Sequence, residues 1–260
     1  MSIVVREDAG TIRLVDTHAH LSDLKDREGV IKRARAAGID AIIAVGGNLE
    51  TSRATLGWAS DYKGYVYPAL GIHPMEWMVA DTEKTIRFIV EHIDQCVAVG
   101  EIGLDYWYRG AKKSEDAREQ QRKIYIKLLR IALEHEKPAL VHGRGAWNDA
   151  LSLASEHGPS RIIFHWFSGP LEVLHKVLDS GYFISATPAV EFSRDHRAAL
   201  AEAPLERIVI ETDSPVSYHG KRAEPADILL TLRALSELKG IPEEDVAEVT
   251  SRNAERFFCI

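Results

Sequence analysis

Cysteine is scarce in this chain. Two among 260 residues, Cys96 and Cys259, are too few for a disulfide framework, so a reducing, cytoplasmic compartment is expected. Long apolar runs are missing as well: no stretch approaches the length that spans a bilayer, and nothing at the N-terminus has the pattern of a secretory signal. Basic residues are outnumbered, with 32 Lys and Arg against 39 Asp and Glu and a formal charge of −7. That balance argues against a protein that coats duplexes by neutralising phosphates along their length. It leaves room for an enzyme that grips one phosphodiester at a metal centre. There is no low-complexity tract, no Pro/Ser-rich linker and no shift in composition, so one domain over residues 1–260 is expected, a monomer by default. This length is normal for a single α/β barrel, and the 45% apolar share suffices for a large core.

What is present is an alternation. Short β-branched, apolar runs at 12–21, 41–47, 65–74, 96–105, 138–144, 161–168, 182–187 and 207–215 are separated by amphipathic stretches of helical length, among them 26–39, 114–136 and 225–238. Gly38 stands where a helix C-terminal glycine is expected. Near-continuous apolar strands alternating with helices imply a parallel sheet covered by helices. Eight such units fit either a closed (β/α)8 TIM barrel or an open doubly wound sheet. The polar residues favour the barrel: His18, His20, His73, Glu101, His142, Arg144, His165 and Asp213 all fall at the C-terminal ends of their strands. In a barrel those ends meet at one mouth. The segment 242–260 reads as an extra C-terminal helix, with Val246, Val249, Phe257 and Phe258 packing on the barrel's outside.

The run "LVDTHAHL" (14–21) sets Asp16, His18 and His20 on one parity of a strand. Glu211 and Asp213 share parity on the eighth strand, as do His142 and Arg144 on the fifth. Imidazoles and carboxylates gathered around one axis are costly without a cation. As a ligand set they suit Zn, Mn, Fe or Ni better than Ca. There are enough for two metals, with a bridging carboxylate.

The strings "DTHAHL", "GIHP", "GEIGLDY", "VHGR", "HWFSG", "ETDSP", "GKRAEP" and "TSRNAERFF" occur in that order. Together they resemble the TatD family of metal-dependent hydrolases, TIM barrels of the amidohydrolase-like superfamily, from about Val15 to Phe258. The resemblance implies that His18, His20, Glu101 and Asp213 hold one divalent cation. Glu101, His142 and His165 would hold a second, with Glu101 shared; Mg, Mn or Zn would serve. It also implies phosphodiester chemistry: a deoxyribonuclease trimming single-stranded DNA from the 3′ end. Departures from the family pattern are Ala19 and Trp166 where cysteine is frequent, Gly143, and Ala223 where asparagine is common. None removes an implied ligand.

Roles beyond ligation stay open at this level. Asp213 is placed to ligate and to accept the nucleophile's proton, or to ligate alone. His73 either binds a phosphate oxygen or protonates the leaving group, unless it is a plain loop histidine before Pro74. Arg144 either forks onto a phosphate or forms a salt bridge to Asp16 or Glu211. Those two acids are expected to orient ligating imidazoles. The aromatics of "DYWYRG" (105–110) offer stacking surfaces for bases, or pack against neighbouring loops. Lys221 and Arg222 read as solvated charge, with contact to a further phosphate as the alternative. The competing activity is hydrolysis of an amide, lactone or C–N bond on the same scaffold; against it stand the cationic groups at the mouth and the lack of a strand-end lysine for a carbamate bridge.

Overall fold

A computed structural model describes residues 13–76 and 81–260. Ile12, the first residue of the first predicted strand, lies outside the described residues. Eight strands, β1 (Leu14–Ala19), β2 (Ile39–Gly46), β3 (Val66–Leu70), β4 (Ala98–Gly103), β5 (Ala139–His142), β6 (Ile162–Phe164), β7 (Phe183–Ala186) and β8 (Ile208–Ile210), pair in chain order, every pair parallel. Around them run α1 (Arg27–Ala36), α2 (Leu49–Asp61), α3 (Thr82–Glu91), the single turn α4 (Arg109–Lys112), α5 (Glu115–Glu134), α6 (Trp147–His157), α7 (Leu171–Asp179), α8 (Arg194–Glu202), α9 (Ile228–Lys239) and α10 (Glu243–Phe258). The architecture is the expected (β/α)8 barrel with a further helix. Helix starts are set by side chains that accept otherwise unpaired N–H groups: Asp26 from Gly29, Asn48 from Thr51, Asp81 from Lys84, Ser114 from Ala117 and Ser193 from His196. Gly38, at φ +81°, reverses the chain between α1 and β2 as its sequence position predicts.

The strands end earlier than the apolar runs predict. β8 stops at Ile210 and β5 at His142, so Asp213 and Arg144 stand in loops where two-residue alternation no longer applies. Asp213 reaches the mouth through a left-handed backbone, φ +50°, a conformation that surrounding bonds must hold in a non-glycine residue. On β1, alternation is broken within the strand. Val15 belongs to the interior cluster and His18 to the mouth, and a register shift between Asp16 and Ala19 reconciles the two.

The ring closes between β1 and β8 by mixed means. Asp213 N donates to His18 O at 3.0 Å and His20 N to Ser214 O at 2.7 Å. Deeper down, side chains take over: Thr17 Oγ1 donates to Ile210 O at 3.0 Å, and Asp16 accepts from Thr212 N and Oγ1 at 3.0 and 2.7 Å. Asp16 is thus a clamp on the seam and orients no imidazole, contrary to the sequence reading. Burial pushes its carboxyl up to about 8, against the lowering pull of those Thr212 bonds.

Inside the barrel, Val15, Ile43, Leu140, Ile163 and Val209 form one cluster with Phe257 and Phe258 of α10. The Phe257 ring meets Phe183, at the start of β7, at 5.5 Å. The expectation that these two rings pack outside therefore needs correction. Only Val246 joins the outer layer between strands and helices, while Val249 is half-buried. Phe257 and Phe258 close the floor of the barrel, because a ring of strand starts leaves an apolar opening there. Each such ring contributes roughly 1.5–3 kcal/mol by leaving water. With the floor sealed, polar groups are left to the opposite end.

Candidate metal centre

Glu101, near the end of β4 and 1% exposed, turns its two carboxylate oxygens to two different groups of donors. Oε2 lies 3.4 Å from His18 Nε2 and 3.4 Å from His20 Nε2. Asp213 Oδ1 completes that group, 3.7 Å from His18 Nε2 and 3.4 Å from His20 Nε2. Oε1 lies 2.8 Å from His142 Nδ1 and 2.9 Å from His165 Nε2, and those two nitrogens are 3.1 Å apart. The rings of His18 and His165 stack at 4.3 Å between the groups. All six ligands implied by the family resemblance are thus brought together.

The donor chemistry fits divalent cations. Four ligands about 2.0–2.2 Å from a tetrahedral ion stand roughly 3.3–3.6 Å from one another, close to the spacing in the first group. Burial sharpens the point: both ring nitrogens of His18 and Glu101 Oε2 are excluded from solvent with no hydrogen-bond partner. Leaving a buried polar atom unpaired costs about 1–3 kcal/mol, and one cation would satisfy His18 Nε2 and Glu101 Oε2 together. Electrostatics point the same way. Burial alone would lower the His20 imidazole, yet hydrogen bonds to Asp213 and Glu101 push it up to about 10. Burial would raise Glu101 and Asp213, yet the facing imidazoles hold both below the usual carboxylate range. The acids recruit positive charge by whatever means is available.

Outer partners fix the rings of the second group. Asp105 Oδ2, on the loop after β4, lies 3.1 Å from His142 Nε2, and Glu211 Oε1 lies 3.2 Å from His165 Nδ1. Glu211 therefore orients an imidazole as the sequence predicts. Asp105 does the work assigned to Asp16, and the sequence reading passed over it. Its Oδ1 accepts Trp107 N and Tyr108 N at 3.0 and 2.9 Å, while Arg144 Nε and Nη2 donate to Oδ2 at 2.9 and 2.7 Å. Burial opposes ionisation of Asp105, but His142 and Arg144 win and hold it at about 2. Arg144 thus has Asp105 as its partner, and neither Asp16 nor Glu211. His73, Glu101 and His142 make a further compact trio of donors, and so do His18, His165 and Glu211. In the first of these, His73 Nδ1 accepts Met75 N at 3.1 Å. Burial lowers that ring to about 3, so it is neutral with its proton on Nε2, 3.5 Å from Glu101 Oε1. It is a donor at that position, and a lone pair is not available there.

A cavity of about 640 Å³ opens above these groups. Arg144 borders it, as do Trp107, which is 66% exposed, and Phe192, at 52%. Phe192 sits in the loop after β7, where the sequence carried no polar strand-end residue to draw notice. Of the other predicted aromatics, Tyr106 is bound into the scaffold, donating from Oη to Asp149 at 2.8 Å and accepting from Arg122 Nη1. Lys221 pairs with Asp227 at 2.8 Å in the hairpin β9 (Ser217–Tyr218) and β10 (Lys221–Arg222), and neither it nor Arg222 borders the cavity. Ala223 is buried against Ala189 and Tyr218, so that departure from the family pattern sits in packing.

Paired carboxylate and imidazole groups, buried at the mouth of a (β/α)8 barrel beneath an open cavity, define a metal-dependent hydrolase. Residues 15–259 match the family described as TatD related DNase. The human protein named "Deoxyribonuclease TATDN3" is 31% identical over 96% of this chain and 96% of its own length. "Uncharacterized metal-dependent hydrolase YabD" of Bacillus subtilis (strain 168) is 31% identical over 95% and 99%. Among solved structures, the TatD homologue YJJV from Escherichia coli k12 superposes with a TM-score of 0.87 at 26% identity, covering 96% of this chain and all of that one (100%). The chain belongs to the TatD family of metal-dependent hydrolases.

Proposed function

We propose that this protein hydrolyses phosphodiester bonds of single-stranded DNA, removing nucleotides from the 3′ end with two divalent cations. The observation that carries the proposal is Glu101, whose two oxygens address two separate donor groups. His18, His20, Asp213 and Glu101 Oε2 would hold one cation; His142, His165 and Glu101 Oε1 would hold the other. Mg, Mn or Zn, bound there, would supply an activated water and a Lewis acid for the phosphoryl oxygens. Asp213, kept ionised by its imidazole neighbours, would ligate the first cation and would accept the proton of the attacking water. His73, neutral and anchored through Nδ1, directs its Nε2 proton to a non-bridging phosphate oxygen. A neutral imidazole is a weak proton donor to a leaving group, so binding is the role it suits. Arg144, half-exposed beside Asp105, offers a guanidinium to the same phosphate. No lysine lies among the described residues lining the cavity, which disfavours the carbamate-bridged arrangement of an amide or lactone hydrolase. Among the described residues no helix is long and apolar enough to cross a membrane.

The test is to load purified protein with each metal and supply 3′-labelled single-stranded DNA, with and without chelator, beside ester and amide substrates. We expect metal-dependent release of labelled mononucleotide. Glu101→Ala should lower the rate by roughly 10³-fold, several kcal/mol of lost charge stabilisation, and should empty both sites by elemental analysis. Full metal content and rate in Glu101→Ala would exclude the shared carboxylate, and turnover of amides alone would exclude the nuclease.

A further inference from the structure

A second cavity, of about 590 Å³, adjoins the first across Trp107, Arg144, Trp147 and Ser168, which line both. The shared wall is built with care for one ring. Gly145 has φ +71°, and a Cβ there would come within 2.3 Å of Trp107 Cδ1 and 2.6 Å of its Nε1. The indole therefore lies directly on bare backbone. On its N-terminal side the Trp107 amide is held by Asp105 Oδ1 at 3.0 Å, on the carboxylate that also fixes His142. Yet 66% of Trp107 remains open. A large apolar ring, seated on a glycine and pinned through its amide, is being presented on its free side.

The chemistry of the second cavity narrows what it takes. Asp149 and Asp195 line it, together with Asn148 and the half-exposed Leu171. Among the described residues its one cationic side chain is Arg144, which it shares with the first cavity and which is bound to Asp105 through Nε and Nη2. Two carboxylates repel a phosphate. A neutral planar heterocycle meets no such penalty: its face suits the indole, and its ring N–H and amino groups suit Asp195, Asn148 and Oδ1 of Asp149, whose Oδ2 holds Tyr106. We infer that this cavity is the seat of a nucleobase adjoining the scissile phosphate, stacked on Trp107, and that Trp107 sets the requirement for a base-bearing substrate. The inference rests on the nuclease reading above and adds to it a site for the base. The phosphodiester occupies the first cavity at the metal ligands, and the attached nucleoside passes Trp107 into the second.

The protein's preference for bases can be cancelled from either side of the contact. Binding of metal-loaded protein to dye-labelled, phosphorothioate-blocked hexathymidylate is compared with binding to a six-unit abasic deoxyribose-phosphate chain of equal charge, by anisotropy. Stacking on an aromatic side chain is typically lost about tenfold or more per base when the ring is removed. Wild-type protein should bind the base-bearing strand about tenfold more tightly than the abasic one. Trp107→Ala should bind both alike, at the abasic level, and Trp107→Phe should restore most of the preference. Gly145→Ala, which drives a methyl into the indole, should copy Trp107→Ala. The same order should appear in KM for unblocked strands, with kcat held within about twofold. An equal preference in wild type and Trp107→Ala would overturn the inference, whatever the rate of hydrolysis. A base-dependent, Trp107-dependent affinity in a protein that cuts no DNA would uphold the site and overturn the nuclease reading instead.

Discussion

His196, beneath the loops that follow β6 and β7, and His18, on β1, are both wholly shut away from solvent. Their partners could hardly differ more. His196 Nδ1 lies 2.7 Å from Phe167 O, and its Nε2 accepts Thr187 N at 3.2 Å. One neutral tautomer satisfies everything around it, and the ring ties two loops together. His18 has no hydrogen bond at either nitrogen, although Glu101 and Asp213 lie 3.4 and 3.7 Å away. His142 and His165 stand between these extremes, each with one nitrogen on an orienting carboxylate and the other on Glu101. Burial alone says little about an imidazole's purpose; what faces its nitrogens, a backbone carbonyl and amide at His196 and carboxylates at the others, separates the fastener from the ligand.

The contrast can be broken most forcefully at His18. In metal-loaded protein, His18→Leu should lose activity by roughly 10³-fold, since a ligand is gone, and should bind fewer cations by elemental analysis. In chelator the same variant should melt at or above wild type, because two unpaired polar atoms are replaced by packing apolar ones. A chelated His18→Leu protein that is badly destabilised would put His18 in the class of His196. Next in size is His196→Leu, expected to cost about 2–4 kcal/mol with or without metal, as Thr187 N and Phe167 O lose their partner. Its pH signature is separable. Burial holds His196 at about 4, below the ordinary value of 6.5. Between those values the unfolded chain binds the extra proton, so this contribution is complete above about pH 6.5 and fades as the pH falls towards 4. It amounts to on the order of 3 kcal/mol. Urea titrations across that window should show the gap between wild type and His196→Leu narrowing with acidity. A gap that stays constant would mean that the ring is protonated in the folded protein. The smallest effect belongs to Asp105→Asn, which keeps an acceptor but loses the charge behind His142 and Arg144. A 10–100-fold drop in metal affinity or rate is expected. The loss should fall on the cation held by His142 and His165, and equal loss at the His18 group would blur the distinction between pinned and unpinned rings.

The barrel was legible because each βα unit writes its own period and six of the eight predicted strands end in His, Glu or Asp. Strand-end position marked the six candidate ligands together with His73 and Arg144, and the family resemblance singled out the six. Parity itself was a poorer guide than it looked: β5 and β8 stop before Arg144 and Asp213, and β1 shifts register before His18. Asp105 escaped notice because its importance lies in four donor residues from two parts of the chain, and only the β4–β5 pairing brings His142 and Arg144 to it. Asp16 was misassigned for a related reason, since its partner Thr212 is 196 residues away across the seam. Phe257 and Phe258 carried the signature of an amphipathic helix, and amphipathicity does not distinguish a barrel's flank from its floor.

The seam between β1 and β8 also bears on how such a molecule comes into being. The first strand brings two imidazoles, and the carboxylate that completes their set arrives only with the last. A chain still being synthesised owns half of that group, until Thr212 reaches Asp16 and Asp213 comes in beside His20. With the cation site as proposed, a hydrolase whose first and last strands must meet before that site is whole would be armed in the same act that closes the ring.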